Sequence, residues 1–151
     1  MKKVEKLTGA LIIAIISIIL LFILSVPIVN NVTAMKVKNR LKEIPLPEKT
    51  EYVEAISRAD KMTGNGNGMQ YFGAILIKSK LSVEELDDYY AAYRKNEWDC
   101  IVERQSGQEI TCIEHGKLSF ETDLSEDERY YIIYSWESGN ELFAGLDLRG
   151  H

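Results

Sequence analysis

The chain has 151 residues, enough for one ordinary domain and a short appendage. Its charge is uneven: residues 1–43 hold seven Lys/Arg against two Glu, net +5, whereas residues 44–151 hold eleven against twenty-one Asp/Glu, net −10. An acidic body repels phosphate, which argues against nucleic acid as a partner and against a domain lying flat on anionic lipid.

No charged residue lies between Lys6 and Lys36, and Leu7 to Val29 is almost entirely Leu, Ile, Val, Ala and Phe. A bilayer's hydrocarbon core takes about 20 apolar residues at about 1.5 Å rise each. Lipid offers the backbone no hydrogen-bond partner, so such a segment must be helical. Pro27 falls near the far end, where a kink or a helix end is tolerable. A cleaved signal peptide is the alternative, but its apolar region is usually shorter, about 7–15 residues. The expected layout is a cytoplasmic tail over 1–6, a transmembrane signal anchor over 7–29, a basic juxtamembrane segment with a Pro linker over 30–47, and a soluble α+β domain over 48–151. Lys2, Lys3 and Lys6 favour a cytoplasmic N-terminus and a domain outside. The basic stretch Lys36, Lys38, Arg40 and Lys42 continues the helix, either against lipid headgroups or as a solvated linker.

Ile44-Pro45-Leu46-Pro47 ends that helix, since each Pro disfavours helical geometry in the residue before it. Residues 51–60 fit a strand or a helix, and a strand suits the turn and buried strand next in the chain. Gly64-Asn65-Gly66-Asn67-Gly68 is that hairpin turn. Met69 to Ile77, apolar on both faces, predicts the buried strand. Ser82 to Asn96 predicts a helix, with Ser82 and Glu85 at capping-box spacing and Leu86, Tyr89, Tyr90 and Tyr93 as its apolar stripe. Strands are expected at Trp98–Arg104, Glu109–His115, Leu118–Thr122, Tyr130–Trp136 and Leu142–Leu148, with a turn at Ser138-Gly139-Asn140. Successive short turns imply an antiparallel sheet with one helix on one face, a ββα unit followed by several strands.

The Tyr-rich helix leading at once into a Trp-led strand, Tyr89-Tyr90 to Trp98, resembles small extracytoplasmic α+β domains of single-pass bacterial membrane proteins. The resemblance covers about residues 82–104 and implies no activity.

Few residues suggest chemistry. A three-residue loop at Gln105-Ser106-Gly107 would pair Cys100 with Cys112 across a hairpin, within reach of a disulfide. A two-residue loop would put them on opposite faces, and two reduced core cysteines are the alternative. The glycine-rich loop 64–68 fits neither the dinucleotide fingerprint nor the P-loop, but it is a candidate contact loop. Cys112 and His115 point to opposite faces of a strand, so no metal site is expected there. No Ser/His/Asp or Cys/His arrangement can be assembled, so no catalytic residue and no cofactor site is expected. The resulting expectation is a non-enzymatic, membrane-tethered interaction or accessory domain, bound to the bilayer through residues 7–29, with a membrane or envelope protein as partner. A domain binding a small ligand or cell-wall component is the runner-up.

Overall fold

The structure is a computed structural model that describes residues 2–95, 98–138 and 142–151, without the side chains of residues 2–5. Helix α1 (Lys2–Lys42) is followed by strands β1 (Thr50–Asp60) and β2 (Gln70–Ser79), helix α2 (Val83–Ala91), strands β3 (Ile101–Gln105) and β4 (Tyr130–Ser138), and a short helix α3 (Leu142–Leu146). A single 3-10 turn, Leu148–Gly150, comes after α3. The four strands form one antiparallel sheet in the order β1-β2-β4-β3. The fold is therefore α+β, with a long apolar N-terminal helix.

Helix α1 has two halves with different surroundings. From Leu7 to Leu24 its apolar side chains are exposed all round, Leu7 at 74% and Leu24 at 63%. From Val26 onward one stripe is buried: Val26, Asn30, Ala34, Val37, Leu41 and, just past the helix, Ile44. Their spacing of three and four residues is that of one helix face. The helix runs through Pro27 without ending. Residues 30–42 thus do not form a free linker: they are the core helix of the domain, laid across β1, β2 and β4.

The sheet is shaped to receive α1. Gly73 on β2 pairs with Ser57 on β1 and Ser135 on β4, a row of small side chains across the sheet. A Cβ at Gly73 would lie 2.3 Å from the Lys38 backbone nitrogen, so the two backbones meet where only glycine fits. Beyond that row, Ile75, Ile77, Tyr131, Ile133 and Val102 pack with Leu41, Leu86 and Tyr90. Two helices, not one, cover this face. Helix α2 carries the expected capping box between Ser82 and Glu85 but is shorter than expected, stopping at Ala91. Its expected end at Asn96, and the turn at Gly139-Asn140, lie outside the described residues.

The opposite face is covered by chain without regular structure. Phe72, Ala74, Leu76, Ile132 and Tyr134 pack under Ile110, Phe120 and Met62. The expected strands at 109–115 and 118–122 do not form; only an isolated bridge joins Glu109 to Ser119. The Glu54 carboxylate holds this layer from β1, accepting the backbone N–H groups of Glu121 and Thr122 and the Thr122 hydroxyl at 2.9–3.0 Å. Side-chain acceptors here take the place of a ladder. Of the segment 142–148, expected as a strand, Leu142–Leu146 is helical, with Ala144 as its buried residue; Asp147 is extended and caps the 3-10 turn that starts at Leu148.

Candidate functional site: the membrane-proximal latch and the distal cleft

The sheet has a proximal end, where β1 closes and β2 opens beside the middle of α1, and a distal end near Ile77 and Thr50. Twenty residues from Leu7 to Val26 rise about 30 Å, the thickness of a hydrocarbon core. This helix is long and apolar enough to cross a membrane. Asn30 and the proximal end of the sheet lie one turn beyond.

A buried polar latch closes the proximal end. Asn30 is 1% exposed and every polar function of its amide is satisfied. Its Nδ2 donates to the Phe143 carbonyl at 3.0 Å and to Asp147 Oδ2 at 2.8 Å, while its Oδ1 accepts the Tyr71 hydroxyl at 2.8 Å. Asp147 also receives Arg149 through Nη2 at 2.7 Å and Nε at 3.0 Å. Arg149 and then Asn30 hold the Asp147 carboxyl well below its ordinary range, at about 2. Arg149 further donates to Asn31 Oδ1 at 3.0 Å. One helix turn of α1 is thereby tied to the C-terminal segment and to the start of β2. The sequence carries one signal of this group, a polar Asn30 lying on the apolar stripe that starts at Val26, and it is visible only once that stripe is read as core.

The glycine-rich loop sits at the same end. Residues 64–68 are exposed, inside a nine-residue connection between Asp60 and Gln70 and not a tight turn. Its stems are held firmly. The Gln70 carbonyl oxygen accepts the Met62 and Thr63 N–H groups at 2.7 and 2.8 Å. The Gly64 N–H reaches Glu114 Oε2 at 2.8 Å, and His115 Nε2 lies 2.7 Å from the Gly64 carbonyl. The Gly68 N–H donates to the Gly150 carbonyl at 2.7 Å. Gly64 and Gly68 have φ of 72° and 152°, values that favour glycine. Asn65, Gly66 and Asn67 form the free tip.

The cysteines are separated. Cys100 is buried in the core under the helices, its thiol 3.8 Å from the Tyr90 carbonyl. Cys112 packs on the other side of the sheet with Phe120 and Tyr134. Both are free thiols. The expected hairpin does not form: β3 pairs with β4 on one edge, from Ile101↔Tyr134 to Gln105↔Tyr130, and the chain after it does not return along the other edge. The Gln105 amide then bonds the Gly107 and Glu109 carbonyls and turns the chain away. Burial pushes the Cys112 thiol up to about 11 and raises Cys100 as well. Among the described residues no three His, Cys, Asp or Glu side chains converge to hold a metal.

At the distal end, Lys49, Glu51, Lys78, Lys80, Glu128 and Arg129 line an open cleft of about 400 Å³. Lys78 bridges Glu51 at 3.2 Å and Glu128 at 3.1 Å. The Glu128 bond is the main cause of its raised pKa. Lys49 has φ of 62°, a left-handed backbone that a lysine rarely adopts. A second open groove, about 370 Å³, runs between the end of α1 and Trp98, lined by Arg40, Glu43, Ile44, Tyr93 and Lys95. The Arg40 guanidinium stacks 5.5 Å from the Trp98 ring centroid and pairs with Glu137 at 2.7 Å. The first of these surfaces is charged, and the second combines charge with the aromatic area of Tyr93 and Trp98.

No protein-family model, no curated protein and no solved structure matches this chain.

Proposed function

We propose that this protein is a single-span, membrane-tethered interaction domain that presents its distal cleft and the Trp98 groove, at a fixed height outside the cytoplasm, to a neighbouring membrane or envelope protein. The observation that carries the reading is the continuity of α1: the helix that is apolar all round from Leu7 to Leu24 becomes the core helix of the domain from Val26 onward. A domain built on its own anchor cannot rotate freely about a linker. Its surfaces therefore meet a partner in the same membrane at a raised effective concentration and in one orientation. The resemblance to extracytoplasmic domains of single-pass bacterial proteins agrees with this reading, and so do the three lysines before the span.

Binding of a small ligand or cell-wall component is the second reading. It does not use a buried groove between helix and sheet, because that space is filled by Leu41, Ile75, Ile77 and Tyr90. The open groove beside Tyr93 and Trp98 is what favours it.

Asn67→Cys, on the exposed tip of the glycine-rich loop, tests the placement. The native thiols are too shielded to report it. An impermeant maleimide labels this variant in intact cells if the domain is outside; labelling only after lysis reverses the orientation. Cross-linking in cells from cysteines at Lys80 and Lys95, followed by purification in mild detergent, tests the partner. A few specific adducts support the tethered-interaction reading. Adducts that are absent from both positions count against it.

A further inference from the structure

The C-terminal segment exposes apolar side chains where a soluble surface has no use for them. Leu142, Leu146 and Leu148 are 67%, 48% and 86% exposed, although the latch fixes their backbone tightly. They surround one stretch of α1: the Phe143 ring lies 5.8 Å from that of Phe22, and Leu146 and Leu148 flank an apolar groove along Phe22, Ile23 and Pro27. That stretch is where a span beginning at Leu7 reaches the outer limit of the hydrocarbon layer, about 24–30 Å along the helix. The exposed leucines thus continue the exposed apolar surface of α1 without a break. Among the described residues near them, Asp147 is bonded to Asn30 and Arg149, Arg149 also to Asn31, and His151 Nε2 lies 3.3 Å from the Gly145 carbonyl.

We propose that α3 and the turn after it form an apolar foot that enters the membrane interface beside α1, with Leu142, Leu146 and Leu148 among the outer ends of the acyl chains. This rests on the reading of α1 as a membrane span. Lipid is the occupant that fits, because the patch is continuous with the lipid-facing helix. The foot gives the domain a second contact with the bilayer, from the opposite end of the chain. Asn30, Asp147 and Arg149 then sit at headgroup depth, where paired polar groups are tolerated.

The test is depth-dependent quenching in vesicles of phosphatidylcholine and phosphatidylglycerol. The full chain is reconstituted with an environment-sensitive fluorophore on a single introduced cysteine at Ile16, Leu146, Leu148 or Asp127. The shielded native thiols set the background. Lipids carrying a nitroxide high on the acyl chain are expected to quench the labels at Leu146 and Leu148 at least twofold. Asp127, at the distal end, should lose little signal, and Ile16 should respond best to a nitroxide deep in the chain. Quenching at Ile16 with Leu146 and Leu148 behaving like Asp127 overturns the foot and leaves the anchor standing. Labels at Leu146 and Leu148 that are shielded from water but not quenched by lipid also overturn it, because a second copy of the chain then covers the patch. No quenching at Ile16 overturns the anchor and the foot together.

Discussion

Asn30 and Asp147 lie 117 residues apart and are joined by a buried 2.8 Å hydrogen bond. The bond ties the segment after α3 to α1. Asn30→Ala removes two donors and one acceptor at once. It leaves the Tyr71 hydroxyl without this acceptor and the Phe143 carbonyl and Asp147 each one donor short. Asp147 keeps its Arg149 bonds, so the expected loss is that of a buried hydrogen-bond partner, about 1–3 kcal/mol. Urea unfolding of the detergent-solubilised chain checks it. Unfolding like wild type would mean the latch is not closed.

Asp147 makes the latch sensitive to acid. Its carboxyl is held at about 2 instead of its ordinary 3.8, first by Arg149. A depressed carboxyl contributes its stability above the unfolded value and loses it as pH falls through the folded one. The contribution, up to about 2 kcal/mol, is therefore full above about pH 4 and gone near pH 2. Asp147→Asn should remove this part of the acid dependence. Unfolding midpoints measured between pH 2 and pH 6 on both proteins give the comparison.

At Gly73 the backbones of β2 and α1 meet with no room for a Cβ. Gly73→Ala forces its new Cβ into the Lys38 backbone, which has no rotamer to change. Overpacking of this kind costs about 1–3 kcal/mol, and Gly73→Val should cost more. The expected signature is a lowered melting temperature with greater proteolysis of the domain. Were Gly73→Ala neutral, α1 would have to sit farther from the sheet.

The thiols should stay reduced and slow. Mass spectrometry without a reductant should find two free thiols, since Cys100 and Cys112 lie on opposite faces of the sheet. Near pH 8, alkylation of the folded protein should run well below the rate in denaturant, because burial has raised both thiols. A native disulfide would refute this arrangement of β3 and the layer after it.

Ser82→Ala opens the capping box of α2, in which the Glu85 N–H donates to the Ser82 hydroxyl at 3.2 Å and the Ser82 N–H to Glu85 Oε2 at 2.8 Å. A cap of this kind is worth about 1 kcal/mol. Thermal unfolding with an unchanged far-ultraviolet spectrum at low temperature would show it.

Patterns complete within a few residues are legible in the sequence: the apolar span, the cap at Ser82, and the two central strands, whose side chains are apolar on both faces. Features that depend on long-range competition are not. The segment 109–122 has strand composition, but Ile110, Leu118 and Phe120 pack on the face of the sheet over Phe72, Ala74 and Leu76, and not along the outer edge of β3. Its apolar residues therefore cover the sheet instead of extending it. Leu142 to Leu148 alternates in a way that suits a strand, yet Leu142–Leu146 is helical and docks on α1 through Ala144, which packs with Ala34 and Val37. The stripe from Val26 to Ile44 is present in the sequence. The lysines interspersed with it give it the look of a solvated exit from the membrane, although only Lys36 and Lys42 are exposed and the Lys38 backbone meets the sheet at Gly73.

If α1 crosses a membrane as proposed, the span and the domain form one lever, because the helix passes through Pro27 unbroken. Transmembrane helices tilt by about 20° on average, and more when their apolar length exceeds the local thickness of the bilayer. About 23 Å of helix lies between Pro27 and Lys42, so such a tilt swings the distal cleft sideways by about 8 Å. A thicker or thinner membrane would thus move the surface offered to a partner without any change inside the domain.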